Sequence, residues 1–243
     1  MVIELNETSK PKVVIIGAGF GGLWVARSLA KEPVHALIVD RNNYNTFLAL
    51  LYQVAAAELE AEDIAYPVRS ILWKFPNVDF VLAHARRIDL LNRAIETDGE
   101  TISYDYLILA AGSISHFFGI PGVETHAYGL KTLEEAVALK NHIICCFEQA
   151  ARETDEDRRG RLLSFVIVGG GATGVEYAGA LSELVHGPLT RDYRTIDFSA
   201  VRIILVEASN SLVANMPERV RVYTLVRLRE RNRSLSVTTI GAP

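Results

Sequence analysis

Residues 12–16 read KVVII, a short β-branched run of the kind found in buried parallel strands. Six residues follow at once, Gly17-Ala18-Gly19-Phe20-Gly21-Gly22, and residues 23–31 then take helical spacing. Leu23, Ala26, Leu29 and Ala30 supply one buried stripe for that helix. Residues 34–39 read as a second strand, closed by Asp40. The pattern recurs near the other end of the chain. Residues 164–168 (SFVIV) predict a strand, Gly169-Gly170-Gly171-Ala172-Thr173-Gly174 a turn, and residues 175–185 a helix. Residues 201–206 (VRIILV) predict the next strand, closed by Glu207, with residues 186–200 inserted before it. Between the two units, residues 78–90 and 94–102 alternate and carry the turn Thr97-Asp98-Gly99-Glu100, which reads as a hairpin. Residues 106–110 (YLILA) predict a buried strand closed by Gly112, and residues 133–151 a helix. The charged run 154–161 reads as a solvated loop. After Glu207, residues 217–231 suit one helix and residues 235–240 one strand.

The fold class is therefore α/β, with two βαβ units and no repeat of solenoid period. The 243 residues leave room for one large domain or two small ones. A hydrophobic fraction of 49% against 22% charged excludes a disordered chain. A net charge of −4 argues against nucleic acid as a partner. Cys145 and Cys146 are the whole cysteine complement and are adjacent, so no disulfide scaffold is expected and a reducing cytoplasm fits best. The first residues lack the pattern of a signal peptide. The apolar stretch 47–57 is interrupted by Gln53 and is shorter than the roughly 20 residues a crossing helix needs. The expectation is a soluble or at most peripheral protein. The six histidines show no metal-ligand spacing, so no metal is expected.

The chemistry resides in the two glycine turns, each with a strand before it, a helix after it and an acid closing the next strand. Gly17 and Gly169 make the tight turn. Gly19 and Gly171 leave the backbone open to a pyrophosphate, and Gly22 and Gly174 let helix and strand pack closely. The pyrophosphate then meets free N–H groups at the helix N-terminus. Asp40 and Glu207 are placed to accept hydrogen bonds from a ribose, and Glu207 would repel a 2′-phosphate, which favours NAD(H) at the second turn. Two dinucleotide sites in one chain suggest two cofactors exchanging electrons, the natural pair being a flavin and a nicotinamide.

The combination resembles the two-dinucleotide-binding flavoproteins, in which an FAD domain is interrupted by an NAD(P)H domain. Residues 104–112 (YDYLILAAG) look like their YDxLIxATG crossover, with Ala111 where Thr is usual. Residues 47–55 (FLALLYQVA) resemble the FxPLLYQVA segment of the type II NADH dehydrogenases, single-chain NADH:quinone oxidoreductases. Residues 119–122 (GIPG), 129–132 (GLKT) and 171–179 (GATGVEYAG) are similar to further segments of that family. The likeness runs from about Lys12 to Arg219. It implies Rossmann-like units, hydride transfer from NADH to FAD, and reduction of a quinone. It assigns residues 1–124 to the FAD domain and 125–243 to the NADH domain, both incomplete. Gly17, Ala18, Gly19, Phe20, Gly21, Gly22, Asp40 and Arg41 are implied to hold FAD. Tyr52 and Gln53 would lie by the flavin ring, Ala111 and Gly112 along its other edge, and Ala85 at the adenine. Gly169, Gly171, Ala172, Thr173, Gly174 and Glu207 would hold NADH, with Glu176 beside nicotinamide and flavin. Glu176 and Gln53 are the implied catalytic residues.

Three departures accompany the likeness. Ala49 stands for a usual Pro and Ala180 for a usual Glu, and the sequence stops well before the family's usual length. The family's membrane-binding tail and quinone-site segments are expected to be missing. That leaves a second reading, a truncated non-catalytic dinucleotide-binding remnant or one half of a split enzyme. A complementing chain or homo-oligomer would then be the partner. On either reading the expected location is the cytoplasm, extending to the inner face of the cytoplasmic membrane. Unpaired edges are expected at the strands YLILA and VRIILV. A flavin disulfide reductase, and likewise a sulfide:quinone reductase, would need cysteines near the flavin, which Cys145 and Cys146 do not supply.

Overall fold

The computed structural model describes residues 10–231 and 235–239. The first βαβ unit comprises β1 (Lys12–Ile16), α1 (Phe20–Leu29) and β2 (His35–Asp40). β3 (Tyr44–Thr46) comes next, then the short helices α2 (Leu51–Ala55) and α3 (Ala61–Ile64), then β4 (Ala65–Pro67), which pairs antiparallel with β3. α4 (Val68–Leu72) leads to β5 (Val78–Leu82), β6 (Ala85–Asp89), β7 (Ala94–Thr97), β8 (Thr101–Ser103) and β9 (Tyr106–Leu109). α5 (Val123–His126), α6 (Leu133–Ala150) and α7 (Glu156–Leu162) precede the second βαβ unit. That unit is β10 (Ser164–Val168), α8 (Ala172–His186), α9 (Pro188–Asp192) and β11 (Arg202–Glu207). α10 (Glu218–Arg231) and β12 (Leu235–Thr239) follow. The chain divides into two compact units: one up to Phe47 together with Glu62–His116, the other Leu48–Ala61 together with the residues from Phe117 onward.

In the first unit a parallel sheet has the order β5-β2-β1-β9. Side chains alternate across it, so each face packs a different layer. Ile15, Ile38, Val78 and Phe80 cluster with Ala26 of α1 and with Val68 and Leu72 of α4. Val14 and Val39, on the opposite face, cluster with Ile95 and Ile102 of the antiparallel sheet β6-β7-β8 and with Tyr104 just after it. This covers both faces, as a parallel sheet requires.

Two sequence expectations change here. The run 78–90 is not one hairpin arm. Its first half, β5, joins the parallel sheet beside β2, and its second half, β6, starts the antiparallel layer. The chain turns between them where the Ala83 amide donates to the Asp40 carbonyl and the His84 amide to the Asp98 carboxylate. The Asp98-Gly99 turn joins β7 to β8 instead. Alternation runs through both strands, so periodicity alone did not reveal the break. Helix α1 also begins at Phe20, inside the glycine turn, rather than at residue 23.

The second unit holds the parallel sheet β10-β11-β12. VRIILV is thus a central strand and not an open edge. Phe165 of β10 stacks on Phe147 of α6, which also meets the rings of Tyr193 and Phe198. α6 starts with a reciprocal cap: the Thr132 hydroxyl accepts from the Glu135 amide, and the Glu135 carboxylate accepts from the Thr132 amide. The charged run 154–161, expected as a loop, folds largely as α7. The Asp155 carboxylate caps it by accepting from the Arg158 amide at 2.9 Å. Glu156 and Asp157 stand in its first turn and Arg159 and Arg161 in its last, the charge order that complements a helix dipole. Cys146 is buried and Cys145 exposed. Among the described residues no helix is long and apolar enough to cross a membrane, and no group of His, Cys, Asp or Glu could hold a metal.

Candidate functional site: two acid-locked glycine turns

The first turn joins β1 to α1. Gly17 has φ +109° and sits so close to the Ala110 carbonyl that a Cβ there would strike it. A Cβ at Gly22 would land on the Gly17 carbonyl oxygen, so this glycine sets the approach of α1 to β1. A Cβ at Gly19, in contrast, would meet nothing within 4 Å. That open space borders a helix N-terminus with no side-chain cap and no acid in its first turn, which suits a phosphate group. Asp40 closes the site. Its carboxylate accepts from the Ala18 amide at 2.6 Å and from the Asn42 amide at 2.8 Å. The Asn45 side-chain amide donates to the Ala18 carbonyl at 2.9 Å. Phe20 is half exposed and packs edge-on against Phe47.

The second turn, between β10 and α8, repeats this construction. Gly169 has φ +109°, a Cβ at Gly174 would land on the Gly169 carbonyl oxygen, and Gly171 faces open space. The uncapped N-terminus of α8 again has no acid in its first turn. The Glu207 carboxylate accepts from the Gly170 amide and, at 2.7 Å, from the Ser209 amide. The Ser209 amide, with further help from Gly170, holds the Glu207 carboxyl below the ordinary range despite some desolvation. The Gly170 carbonyl accepts from the Val213 amide at 2.7 Å, so the loop after β11 clasps the turn.

Gly170, Ser209 and Leu212 were not found from the sequence, and neither was Asn45. Gly170 is buried, and a Cβ on it would stand 2.5 Å from Leu212 Cδ2 and 2.9 Å from Glu207 Cβ. Ala18 occupies the matching position of the first turn, so glycine is demanded only where Leu212 is packed above. The triple glycine 169–171 was the available signal, but the partner loop that gives its middle member a reason is remote in sequence.

A third group of expected residues lies in the second unit. Tyr52 and Gln53 are on α2, which packs against α6 and α8. Burial raises the Tyr52 phenol above its ordinary value, and the negative charges of Glu176, Glu58 and Glu183 add to the shift. Partial desolvation raises the carboxyl of Glu176 on α8, although the residue is exposed at the surface. The fold thus brings Tyr52 and Glu176 into one electrostatic neighbourhood across more than a hundred residues of sequence. The Gln53 carbonyl accepts from the Glu58 amide at 2.8 Å. Ala172 and Thr173 are exposed at the start of α8. Arg41 is exposed just after Asp40, Ala85 opens β6, and Ala111 and Gly112 (φ +72°) are exposed after β9.

The cradles fit dinucleotides: glycines where a Cβ would collide, open space over Gly19 and Gly171, and a carboxylate held against each turn. Residues 11–237 match the model of the pyridine nucleotide-disulphide oxidoreductases, and the chain belongs to that family. The match carries past Arg219, where the sequence motifs fade.

Within the family its likeness is to type II NADH dehydrogenases. It is 37% identical over 235 residues to the type II NADH:quinone oxidoreductase Ndh of Mycobacterium tuberculosis, covering 93% of this chain and 51% of that protein. It is 33% identical over 234 residues to the mitochondrial external alternative NAD(P)H-ubiquinone oxidoreductase B2 of Arabidopsis thaliana, covering 91% and 40%. The fold matches the structure of NDH2 from Plasmodium falciparum in complex with NADH at a TM-score of 0.89, with 22% identity, over 97% of this chain and 50% of that one. It also matches the sulfide:quinone oxidoreductase of Aquifex aeolicus at 0.71, with 21% identity, over 97% and 52%. The chain spans about half the length of the M. tuberculosis relative.

Proposed function

We propose that this chain binds FAD at the first glycine turn and NADH at the second, and serves hydride transfer from NADH to FAD in an NADH:quinone oxidoreductase of type II. The observation that carries the reading is the duplicated turn, in which a carboxylate is locked to the amide of the second residue in both units. Bound FAD would supply the two-electron chemistry, taking a hydride and passing its electrons to a quinone.

The protein's own residues bind and orient. Gly17, Gly19, Gly21 and Gly22 with the N-terminus of α1 receive one pyrophosphate, and Asp40, with Arg41 beside it, the adjoining ribose. Gly169, Gly171, Thr173 and Gly174 with the N-terminus of α8 receive the other. Glu207, fixed by the Gly170 and Ser209 amides, accepts from the NADH ribose and disfavours a 2′-phosphate by charge. Glu176, with its raised carboxyl, retains a proton to higher pH than an ordinary glutamate and stands beside the flavin and nicotinamide in this reading. Tyr52 and Gln53 line the flavin ring. Ala111 and Gly112 follow its other edge, and Ala85 approaches the adenine.

The test is a visible spectrum of the purified chain before and after anaerobic NADH. Flavin bands that bleach on adding NADH are expected. A colourless chain that also fails to take up added FAD would overturn the reading in favour of a non-catalytic remnant.

A further inference from the structure

In each glycine turn the second residue is held at both ends, its amide by the acid and its carbonyl by a second donor. In the first unit the Ala18 amide donates to Asp40, and the Asn45 side-chain amide donates to the Ala18 carbonyl at 2.9 Å. In the second the Gly170 amide donates to Glu207, and the Val213 amide donates to the Gly170 carbonyl at 2.7 Å. The two carbonyl donors are unrelated in kind. One is a carboxamide on the short strand β3. The other is a main-chain amide in the loop after β11, delivered by a residue at φ +42°, a left-handed conformation that a β-branched side chain resists. Ala18 and Gly170 are buried, so each carbonyl needs some partner. Two different devices, one of them strained, nevertheless converge on the same atom of the turn.

The geometry of the peptide unit shows what such a clasp fixes. The carbonyl of one residue and the amide of the next lie in one plane and, across a trans bond, point in opposite directions. No cis peptide bond occurs among the described residues. Holding the Ala18 carbonyl toward Asn45 therefore points the Gly19 N–H away from Asn45. Holding the Gly170 carbonyl toward Val213 does the same for the Gly171 N–H.

These two glycines are the N-caps of α1 and α8, and neither helix has a side-chain cap. The Gly19 and Gly171 carbonyls accept the first intrahelical bonds, from Leu23 and Val175 at 3.0 Å. Their own amides belong to the four N–H groups that a helix start leaves without an intrahelical acceptor. The backbone angles agree closely, φ −76° and ψ −170° at Gly19 against φ −70° and ψ −177° at Gly171. Unlike clasps thus present the same amide in the same attitude, beside the open space over each glycine.

We propose that Asn45 in the first unit and the main-chain amide of Val213 in the second are positioning groups: through the carbonyl that each holds, they aim the Gly19 and Gly171 amides at the pyrophosphate of the bound dinucleotide. The inference rests on the assignment of FAD to the first turn and NADH to the second, and adds the groups that set the direction of one phosphate donor. A donor already aligned when the phosphate arrives makes a charge-assisted bond with little ordering cost. Asn45 acts through its side chain and can be changed alone. Val213 acts through its main chain, so the second turn serves as the unaltered reference.

The experiment measures FAD and NADH affinity of the full chain and of its Asn45 variants, and follows the Gly19 and Gly171 amides by nuclear magnetic resonance. Asn45→Leu removes the donor without adding charge. It should weaken FAD binding by about tenfold or more, as expected for one hydrogen bond to a charged group, and leave NADH affinity unchanged. Asn45→Gln restores a carboxamide and should recover part of the loss. In the parent, the Gly19 amide proton should move downfield on adding FAD and the Gly171 amide proton on adding NADH. In Asn45→Leu the Gly19 response should shrink while the Gly171 response persists. A bond with a structural role alone would lower the Tm of Asn45→Leu in the absence of FAD, yet leave the Gly19 response and the phosphorus-31 shifts of bound FAD as in the parent. A parent chain that takes up FAD with no movement of the Gly19 amide overturns the proposal, whether or not Asn45→Leu folds. Unchanged FAD affinity in a folded Asn45→Leu overturns it as well, with the FAD assignment intact. A parent chain that takes up no FAD overturns that assignment and the proposal with it.

Discussion

Replacing Gly170 by Ala probes the second cradle with one methyl group. The added Cβ would lie 2.5 Å from Leu212 Cδ2 and 2.9 Å from Glu207 Cβ. Leu212 is 2% exposed and cannot swing into solvent, so the strain is not relieved there cheaply. Overpacking of this kind costs about 1–3 kcal/mol. The easier relief is outward movement of Glu207, which breaks its bond from the Gly170 amide. A hydrogen bond to a charged group contributes about 1.5–3 kcal/mol. If Glu207 must be held there to receive the ribose, NADH affinity should fall about 10- to 100-fold, since ~1.4 kcal/mol corresponds to tenfold. The assay is titration of NADH by its fluorescence, with FAD content measured in parallel as the control for the first turn. The double variant Gly170→Ala with Leu212→Ala removes one of the two collisions and should recover part of the affinity. NADH affinity unchanged in Gly170→Ala, in a protein that still folds, would refute the assignment of Glu207 to the nucleotide.

Other outcomes follow from the same geometry. Gly22→Ala and Gly174→Ala each drive a Cβ onto a carbonyl oxygen of the turn, so each should destabilise its unit by about 3 kcal/mol, the upper end of overpacking costs, read from urea unfolding. Thr132→Ala removes the hydroxyl half of the cap on α6 and should lower stability by ~1 kcal/mol in the same measurement. The Glu207 carboxyl is held below its ordinary value of about 4.3. Its contribution to stability is therefore present above that pH and lost as pH falls through the folded-state value. Glu207→Gln should flatten this acid limb of the Tm profile. Glu176 has the opposite sign: its carboxyl is raised by desolvation, so its stabilising contribution is greatest below the ordinary carboxylate value and fades as pH rises through the folded one. Glu176→Gln should gain Tm relative to the parent on the alkaline side, and a parallel pair of profiles would contradict the shift.

The local order of this protein was written in its sequence. A β-branched run, a glycine turn, a helical stripe and an acid are all short-range signals, and both βαβ units follow them, from β1 to Asp40 and from β10 to Glu207. The roles of Gly22 and Gly174 could be read because the steric demand arises within six residues. Tertiary structure decided what depends on distant partners. Whether the alternating run 78–90 was one strand or two was settled by pairing, because β5 found an edge of β2 and the chain then turned over the sheet. The charged run that became α7 is different, because its Asp155 cap and its charge order are themselves short-range signals that outweigh a loop reading based on charge alone. Gly170 acquired its necessity from Leu212 and Glu207, and Tyr52 its raised phenol first from burial and then from the charge of Glu176 on another helix. Most plainly, Val14 and Val166 are the same residue in the same kind of strand, yet one is sealed and the other open. A strand's own side chains specify that it will have two apolar faces; which face is covered is decided by the layer that reaches it.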